Sequence, residues 1–502
     1  MRICTNAYRV GLTGRYWDSK PHAVTFDAEE STITVIVGGR GSSKTALALG
    51  IGQLVPDPVD GEISGEISID FDGPNSKSDI TRPAVLTQAS IDWSVSDTVF
   101  GEIAFTLEGT LIEAQEIADR VKKIASTYGL EHKLYAHPRE LSGGQRQRLA
   151  VASHLVGNLP IICFDEPFRG IDYAGMRITR ELLSQLRTEG RTIIIFTTQI
   201  SPELRQLHPN QWILLTEGNS EVFKSEPDLI EGQKASALDF CAYVWNRGDD
   251  LQREFVAHQV SVVDGVHINA AQAQPIIRVD NLVVNVFDKF TLGPLSLSRS
   301  GGGITAILGP NGSGKTTFAK LAAWPGYRPH KNGYLQTIAH GQDPSQNSFY
   351  YMAQESDRHY SQFRCIDELI LLGMSVGDAT GLLEKYGISN IAERDPFSIN
   401  GPNQQLLALA LAEASNSQIV FLDEPTSLLD AAGVIALVRA LSRYTLAGRR
   451  VFLITHDSYF ASQVSDDFLV FSDGRISFDG TLKELISKSE DTEFPIAPIH
   501  EC

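Results

Sequence analysis

Two lysines close glycine-rich runs and are each followed by threonine. Residues 309–316 read GPNGSGKT, and residues 38–45 read GGRGSSKT. Glycines in such a run let backbone N–H groups converge on phosphate oxygens, and a helix starting at the lysine adds the positive end of its dipole. In the second run Lys315 is placed to reach the β- and γ-phosphates of a nucleotide, and the Thr316 hydroxyl to ligate Mg²⁺. Gly309, Pro310, Asn311, Gly312, Ser313, Gly314 and Thr317 complete the expected cradle. The first run, with Gly38, Gly39, Arg40, Gly41, Ser42, Ser43, Lys44 and Thr45, departs at one place. Ser43 stands where the second run has Gly314, so a side chain replaces a hydrogen where backbone packs against phosphate. Nucleotide binding there is expected to persist in weakened form.

Downstream of each lysine an apolar stretch ends in an acid pair: 161–164 before Asp165-Glu166, and 419–422 before Asp423-Glu424. An aspartate at the end of a buried strand suits a Mg²⁺ contact through water. The adjoining glutamate suits a base that polarises an attacking water. A further aspartate, Asp172 or Asp430, follows seven residues after the first of each pair, and another apolar stretch follows that, at 192–196 and 451–454.

Strand, glycine loop and helix, then acid strand, then a further strand, occur twice in the same order. A repeat of this length is a whole domain. Apolar strands alternating with helical patterns predict an α/β fold with a largely parallel sheet in each half, that is, two P-loop NTPase domains. The boundaries are placed at 1–225 for the first domain, 226–272 for a connector with some helix, 273–489 for the second domain and 490–502 for a mobile tail.

The string LSGGQ at 141–145 precedes the helical pattern RQRLAVASHLV and is highly specific. With the motifs above, the chain resembles an ATP-binding cassette (ABC) ATPase with two cassettes fused head to tail, and the resemblance covers most of both halves. It implies a cassette dimer formed within one chain, each cassette carrying a largely parallel core sheet, an antiparallel β subdomain and a helical subdomain. It further implies ATP and Mg²⁺ as ligands, each ATP sandwiched between the phosphate loop of one cassette and the signature of the other. Ser142, Gly143, Gly144 and Gln145 would then serve the ATP held by Lys315. By the same resemblance Gln88 and Gln354 touch Mg²⁺ and the attacking water and hinge toward a transmembrane partner, and His456 senses the γ-phosphate.

Spacing carries these roles into the other half. Ser142 precedes Asp165 by 23 residues, and 23 residues before Asp423 is Asn400, so the second signature reads INGPN with Asn400 and Gly401 at its start. Pro402 in it has no N–H to offer a phosphate. His456 follows Asp423 by 33, and 33 residues after Asp165 is Thr198, unless Gln199 substitutes after a one-residue slip. The departures Ser43, Thr198, Asn400 and Pro402 all fall in one composite site, with Thr45, Gln88, Asp165 and Glu166 as its remaining members. The other site combines Lys315, Thr316, Gln354, Asp423, Glu424, His456 and Ser142. One hydrolytic and one degenerate site are therefore expected. Candidates for an aromatic that stacks on the adenine are Tyr16 or Trp17 in the first half and Phe287 or Phe290 in the second, and an aromatic at these places reads equally well as core packing.

The 502 residues carry 43 Lys and Arg against 61 Asp and Glu, a net charge of −18. A chain that grips nucleic acid by its phosphates carries a basic excess, so nucleic acid is excluded as the main partner. An acidic surface is also repelled by anionic lipid headgroups, so any work at a membrane needs a protein partner to hold the chain there. Cys4, Cys163, Cys241, Cys365 and Cys502 form no paired spacing, which fits a reducing compartment. The N-terminal stretch shows no signal-peptide pattern, and no apolar run is long enough to span a bilayer. The expected location is the cytoplasmic side of the membrane, peripheral through protein contacts. After Gln88 the sequence SDTVFGEIAFTLE resembles importers of the energy-coupling-factor or cobalt type, which implies a transmembrane coupling subunit and a substrate-binding membrane subunit as partners, with vitamins, their precursors or metal ions as cargo. Asn403-Gln404-Gln405 resembles instead the second signature of tandem-cassette sugar importers. A third reading is a soluble ribosome-associated tandem cassette, against which stand the acidic charge and a linker that is not basic.

Overall fold

The computed structural model describes residues 2–12, 23–39, 42–70, 83–87, 94–108, 112–141, 143–157, 159–169, 171–216, 219–225, 229, 243–244, 275–286, 290–323, 349–354, 360–489 and 496. The chain divides into two compact units, Met1–Val244 and Trp245–Cys502. The division falls inside the segment read as a connector. Of that segment only Leu229 and the short strand Tyr243–Val244, paired parallel with Gln199–Ile200, lie within the described residues.

Each unit is built on a six-stranded sheet with the same order. In the first unit the strands run Ala84–Leu86, Ile161–Asp165, Thr192–Thr197, Ile33–Gly38, Gln211–Thr216, Asn219–Phe223. In the second they run Phe349–Met352, Ile419–Asp423, Arg450–Ile454, Gly303–Leu308, Asp467–Ser472, Arg475–Gly480. All neighbours are parallel except the outermost pair in each, which is antiparallel. The unbroken Ile and Val runs have a physical reason, because a parallel strand is covered on both faces. Ile33, Val35 and Val37 enter one core cluster and Ile36 the other. In the second unit Ile307 faces one cluster, and Ala306 and Leu308 the other.

Smaller antiparallel sheets accompany the cores: Val24–Glu29, Arg2–Leu12 and Gly61–Asp70 in the first unit, Pro275–Val286 and Phe290–Ser300 in the second. Between the edge strand and the acid strand of each core sheet lies a helical insert. It holds Val99–Ala104, Ala114–Thr127 and Gly143–Leu155 in the first unit, and Cys365–Leu371, Val376–Lys385 and Gly401–Ala414 in the second. The inserts open on the same device. Glu102 accepts from the backbone N–H of Val95 and Ser96, and Glu368 from that of Ser361 and Gln362. The tail expected to be mobile departs from that reading at Ile496, which is buried among Leu485, Phe478 and Leu308, because an apolar side chain finds cover beside the outer strands.

Candidate active site

The sheet order sets the site. The phosphate loops leave the carboxyl ends of Ile33–Gly38 and Gly303–Leu308, and the acid pairs end the strands one place removed, so loop and acids meet at the carboxyl edge of each sheet. That edge is where open α/β sheets bind ligands.

In the second unit Lys315 begins the helix Lys315–Ala323 and is buried, its ammonium donating to the carbonyls of Gly309 at 2.7 Å and Pro310 at 2.8 Å. The loop needs its glycines. Gly309, Gly312 and Gly314 all have φ between 79° and 135°, and a Cβ on Gly314 would sit 2.6 Å from Leu292 Cδ1. The Ser313 hydroxyl is buried with no partner among the described residues, an orphaned donor in a cradle shaped for phosphate. Thr316 Oγ1 donates to Asp423 Oδ2 at 2.7 Å. A cavity of about 390 Å³ is lined by Phe290, Asn311, Gly312, Gly314, Lys315, Thr316, Thr317, Gln354, Asp423, Glu424 and His456. A hydroxyl, a carboxylate and an amide oxygen around one cavity form a hard-oxygen donor set that fits Mg²⁺ beside a phosphate chain.

Glu424 is buried and its backbone is left-handed, φ 51°, pinned by its N–H donating to Ile454 O at 2.9 Å. Its Oε1 lies 3.3 Å from His456 Nε2, and Thr455 Oγ1 lies 3.5 Å from Oε2. Burial raises the Glu424 carboxyl far above the usual carboxylate range, and the charge of Asp423 raises it further, against the pull of Lys315. Burial also raises Asp423, while the hydrogen bonds from Thr316 and Tyr351 lower it. An acid–histidine pair poised beside a phosphate cradle can polarise and deprotonate a water.

The first unit repeats the skeleton. Lys44 Nζ donates to the carbonyls of Gly38 at 2.8 Å and Gly39 at 3.0 Å, and Thr45 Oγ1 to Asp165 Oδ2 at 2.6 Å. Ser42 Oγ donates to Gly39 O at 2.8 Å. Ser43 keeps the left-handed conformation of the glycine it replaces, φ 60°, which costs a non-glycine residue roughly 1–2 kcal/mol. Burial and then the adjoining Glu166 push the Asp165 carboxyl up to about 6, with Thr45 and Lys44 pulling it down.

The strands Thr192–Thr197 and Arg450–Ile454 end differently. Glu166 N–H donates to Phe196 O as Glu424 N–H donates to Ile454 O, so each glutamate meets the strand at the same register. Thr198 is therefore the counterpart of His456, and the one-residue slip to Gln199 does not occur. The Glu166 carboxylate folds onto this strand end. Oε1 accepts from Thr198 N–H at 2.9 Å and Oε2 from Thr197 Oγ1 at 3.2 Å. The sequence reading also missed Arg169, where the second unit has Ser427. Burial holds its guanidinium below the ordinary value, against the pull of Glu166 and Asp165.

The signatures sit at helix starts. Gly143, Gly144 and Gln145 form the first turn of Gly143–Leu155. Asn400 is the N-cap of Gly401–Ala414, its Oδ1 accepting from Asn403 N–H at 3.0 Å, with Pro402 in the first turn. Pro402 is tolerated there because its missing N–H is an orphan of the helix start in any case. Ser142, Arg40, Gly41, Gln88, Tyr16, Trp17 and Phe287 lie outside the described residues, whereas Phe290 lines the phosphate cavity and a second one of about 400 Å³ beside it. Asp172 and Asp430, landmarks in the sequence, are N-caps of Tyr173–Thr188 and Ala431–Leu446.

The chain was compared with known proteins. The family described as "ABC transporter" matches residues 21–169 and 292–427. A provisionally named ABC transporter ATP-binding protein of Saccharolobus solfataricus is 26% identical over 504 residues, covering 94% of this chain and 92% of that protein. A Bacillus subtilis protein, YkoD, provisionally named an HMP/thiamine import ATP-binding protein, is 24% identical, covering 94% and 90%. Among solved structures, the RNase-L inhibitor aligns with a TM-score of 0.63 at 20% identity over 96% of this chain and 92% of that one. The archaeal ribosome recycling factor aABCE1, in complex with the stalk protein aP1, aligns with a TM-score of 0.64 at 20% identity over 97% and 94%. At that identity the likeness is one of fold: two cassettes in one polypeptide. With the match spanning both halves, the chain belongs to the ABC transporter family as a tandem-cassette ATPase.

Proposed function

We propose that the chain is the ATP-hydrolysing subunit of an importer, held at the cytoplasmic face of a membrane by a transmembrane coupling subunit that acts with a substrate-binding membrane subunit. ATP closes the two cassettes on each other and the closure drives the partner. The site at Lys315 is the hydrolytic one. There Thr316, Asp423 and Gln354 would hold Mg²⁺, which would supply positive charge to the phosphates. Glu424 deprotonates the attacking water, His456 steadies the charge, and Lys315 takes up charge on the phosphates. Gly309 to Thr317 wrap the phosphates, and Ser142 to Gln145 of the other cassette close over them. The site at Lys44, with Thr45, Asp165, Glu166, Thr198, Asn400 and Gly401, holds nucleotide and turns over slowly or not at all.

The observation that carries this reading is the approach of His456 to Glu424 beside the Thr316–Asp423 pair, matched in the first unit by a glutamate folded onto Thr198. Support for transport comes from the names of the relatives, one of which is named for HMP/thiamine import. It comes also from apolar side chains exposed in and beside the helical inserts: Val95, Phe105 and Tyr135 in the first unit, Phe363, Leu371 and Val376 in the second. On the importer reading these side chains are the ones offered to the membrane partner. Among the described residues no helix is long and apolar enough to cross a membrane.

A second reading, a ribosome-associated ATPase, is favoured by the solved structures, which include the archaeal ribosome recycling factor. On that comparison alone it is the better supported. Affinity purification of the tagged chain from native membranes in mild detergent, run beside ribosome sedimentation, separates the two. Recovery of an integral membrane subunit is the expected result. A salt-sensitive ribosome pellet with no membrane subunit overturns the importer reading and leaves the ATPase standing.

A further inference from the structure

We propose that Tyr351 is a positioning residue for the divalent cation of the hydrolytic site. Its hydroxyl donates to Asp423 Oδ2 at 2.9 Å, the same oxygen that accepts from Thr316 Oγ1 at 2.7 Å. Two donors on one oxygen fix the rotation of the carboxylate. Thr316 keeps its lone pairs for the cation while its proton is held by Asp423. The phenol ring itself is buried, packed with Phe318 and Phe421 in the core beside the phosphate-loop helix, so the hydroxyl is delivered from a rigid strand, Phe349–Met352.

The first unit supplies the contrast. Tyr351 pairs across the sheet with Phe421, two residues before Asp423, and the residue that pairs with Cys163, two residues before Asp165, is Val85. Valine has no donor. Asp165 Oδ2 accepts from Thr45, and Oδ1 is buried with no hydrogen-bond partner among the described residues. Among the described residues the same acid is thus held by two hydroxyls in one cassette and by one in the other. Groups that orient a metal-binding carboxylate from behind typically change metal affinity about tenfold to a hundredfold when removed.

The inference rests on the proposal that Asp423 and Thr316 hold the cation, and the test separates the two. Mn²⁺ is titrated by electron paramagnetic resonance into the full chain carrying a non-hydrolysable ATP analogue, for the wild type, Tyr351→Phe and Asp423→Asn. Affinity for the analogue in EDTA and the melting temperature are measured alongside. The expected result is two classes of Mn²⁺ site in the wild type. In Tyr351→Phe the tighter class weakens about tenfold and metal-free nucleotide affinity is unchanged. Asp423→Asn removes the tighter class. If Asp423→Asn removes it and Tyr351→Phe leaves it in place, the role of Tyr351 is wrong. If Tyr351→Phe loses metal and metal-free nucleotide affinity together, the tyrosine is a packing residue and the proposal is overturned. If Asp423→Asn changes nothing, the cation reading of the site fails first, and the role of Tyr351 with it.

Discussion

The two halves of the molecule lay the same loop, lysine, threonine and acid pair on the same strands, and part company at the end of one of them. In the second half the strand Arg450–Ile454 runs on to His456, whose ring reaches the Glu424 carboxylate at 3.3 Å. In the first, Thr192–Thr197 runs on to Thr198, whose backbone N–H takes the Glu166 carboxylate at 2.9 Å. Thr198 brings no ring, and Arg169 adds a cation beside the acid pair where the other half has Ser427. The lysine and threonine contacts are kept on both sides: Lys44 and Lys315 make the same carbonyl contacts, and Thr45 and Thr316 the same bond to aspartate. On the proposed function, binding geometry and hydrolytic chemistry separate within one fold. The loop is a backbone property and survives small substitutions, whereas the base depends on what stands a residue or two away.

The contrast breaks most visibly at the two glutamates. Glu424→Gln should lower steady-state ATP hydrolysis about a hundredfold or more, the scale of a lost general base, while Glu166→Gln keeps most of the rate. Equal losses would dissolve the asymmetry. His456→Ala should cost less, about tenfold to a hundredfold in kcat, with nucleotide affinity in EDTA unchanged, because the ring acts on charge at the reacting end. A parallel fall in affinity would make it a packing residue.

A third test uses the proton. The folded-state pKa of Glu424 is raised, to about 8, so the folded protein holds that proton more tightly than the unfolded chain. Stability from this group is full below the unfolded value near 4.5 and is lost as pH rises through about 8. Glu424→Gln carries no charge into the buried site. Its melting temperature should exceed that of the wild type by about 2–4 °C per kcal/mol above pH 8, with the gain vanishing below pH 5. A gain that does not change with pH would mean the carboxyl is not buried as described. The smallest effect is expected at Ser43. Ser43→Gly relieves a left-handed serine and should tighten nucleotide binding at the first site several-fold, for a strain of about 1 kcal/mol. Weaker binding would show that the serine hydroxyl itself serves the ligand.

The largely parallel sheets and the acid positions were legible because buried parallel strands write themselves as unbroken apolar runs ending in polar residues, whereas the order of the strands was not. The count of 33 residues from Asp423 to His456 worked for the same reason. Strand pairing fixes the register, so Asp423 faces Ile454 as Asp165 faces Phe196, and Thr198 falls where the arithmetic put it. Tyr351 was not legible, since a tyrosine inside an apolar strand reads as core, and only the direction of its hydroxyl separates it from Val85. Arg169 was hidden similarly, as a charged residue in a turn reads as solvated. Ile496 was misread because a tail of mixed polarity gives no periodic signal, although this one apolar side chain is buried.

One hydrolytic site in a chain that binds two nucleotides has a simple readout: the full chain is loaded with γ-labelled ATP, Mg²⁺ is added, and what remains bound after a single round is counted. Two nucleotides per chain are expected, one cleaved and one recovered as intact ATP, and in Glu424→Gln both recovered intact. Cleavage of both in the wild type, or of one in Glu424→Gln at the wild-type rate, would contradict a single hydrolytic site.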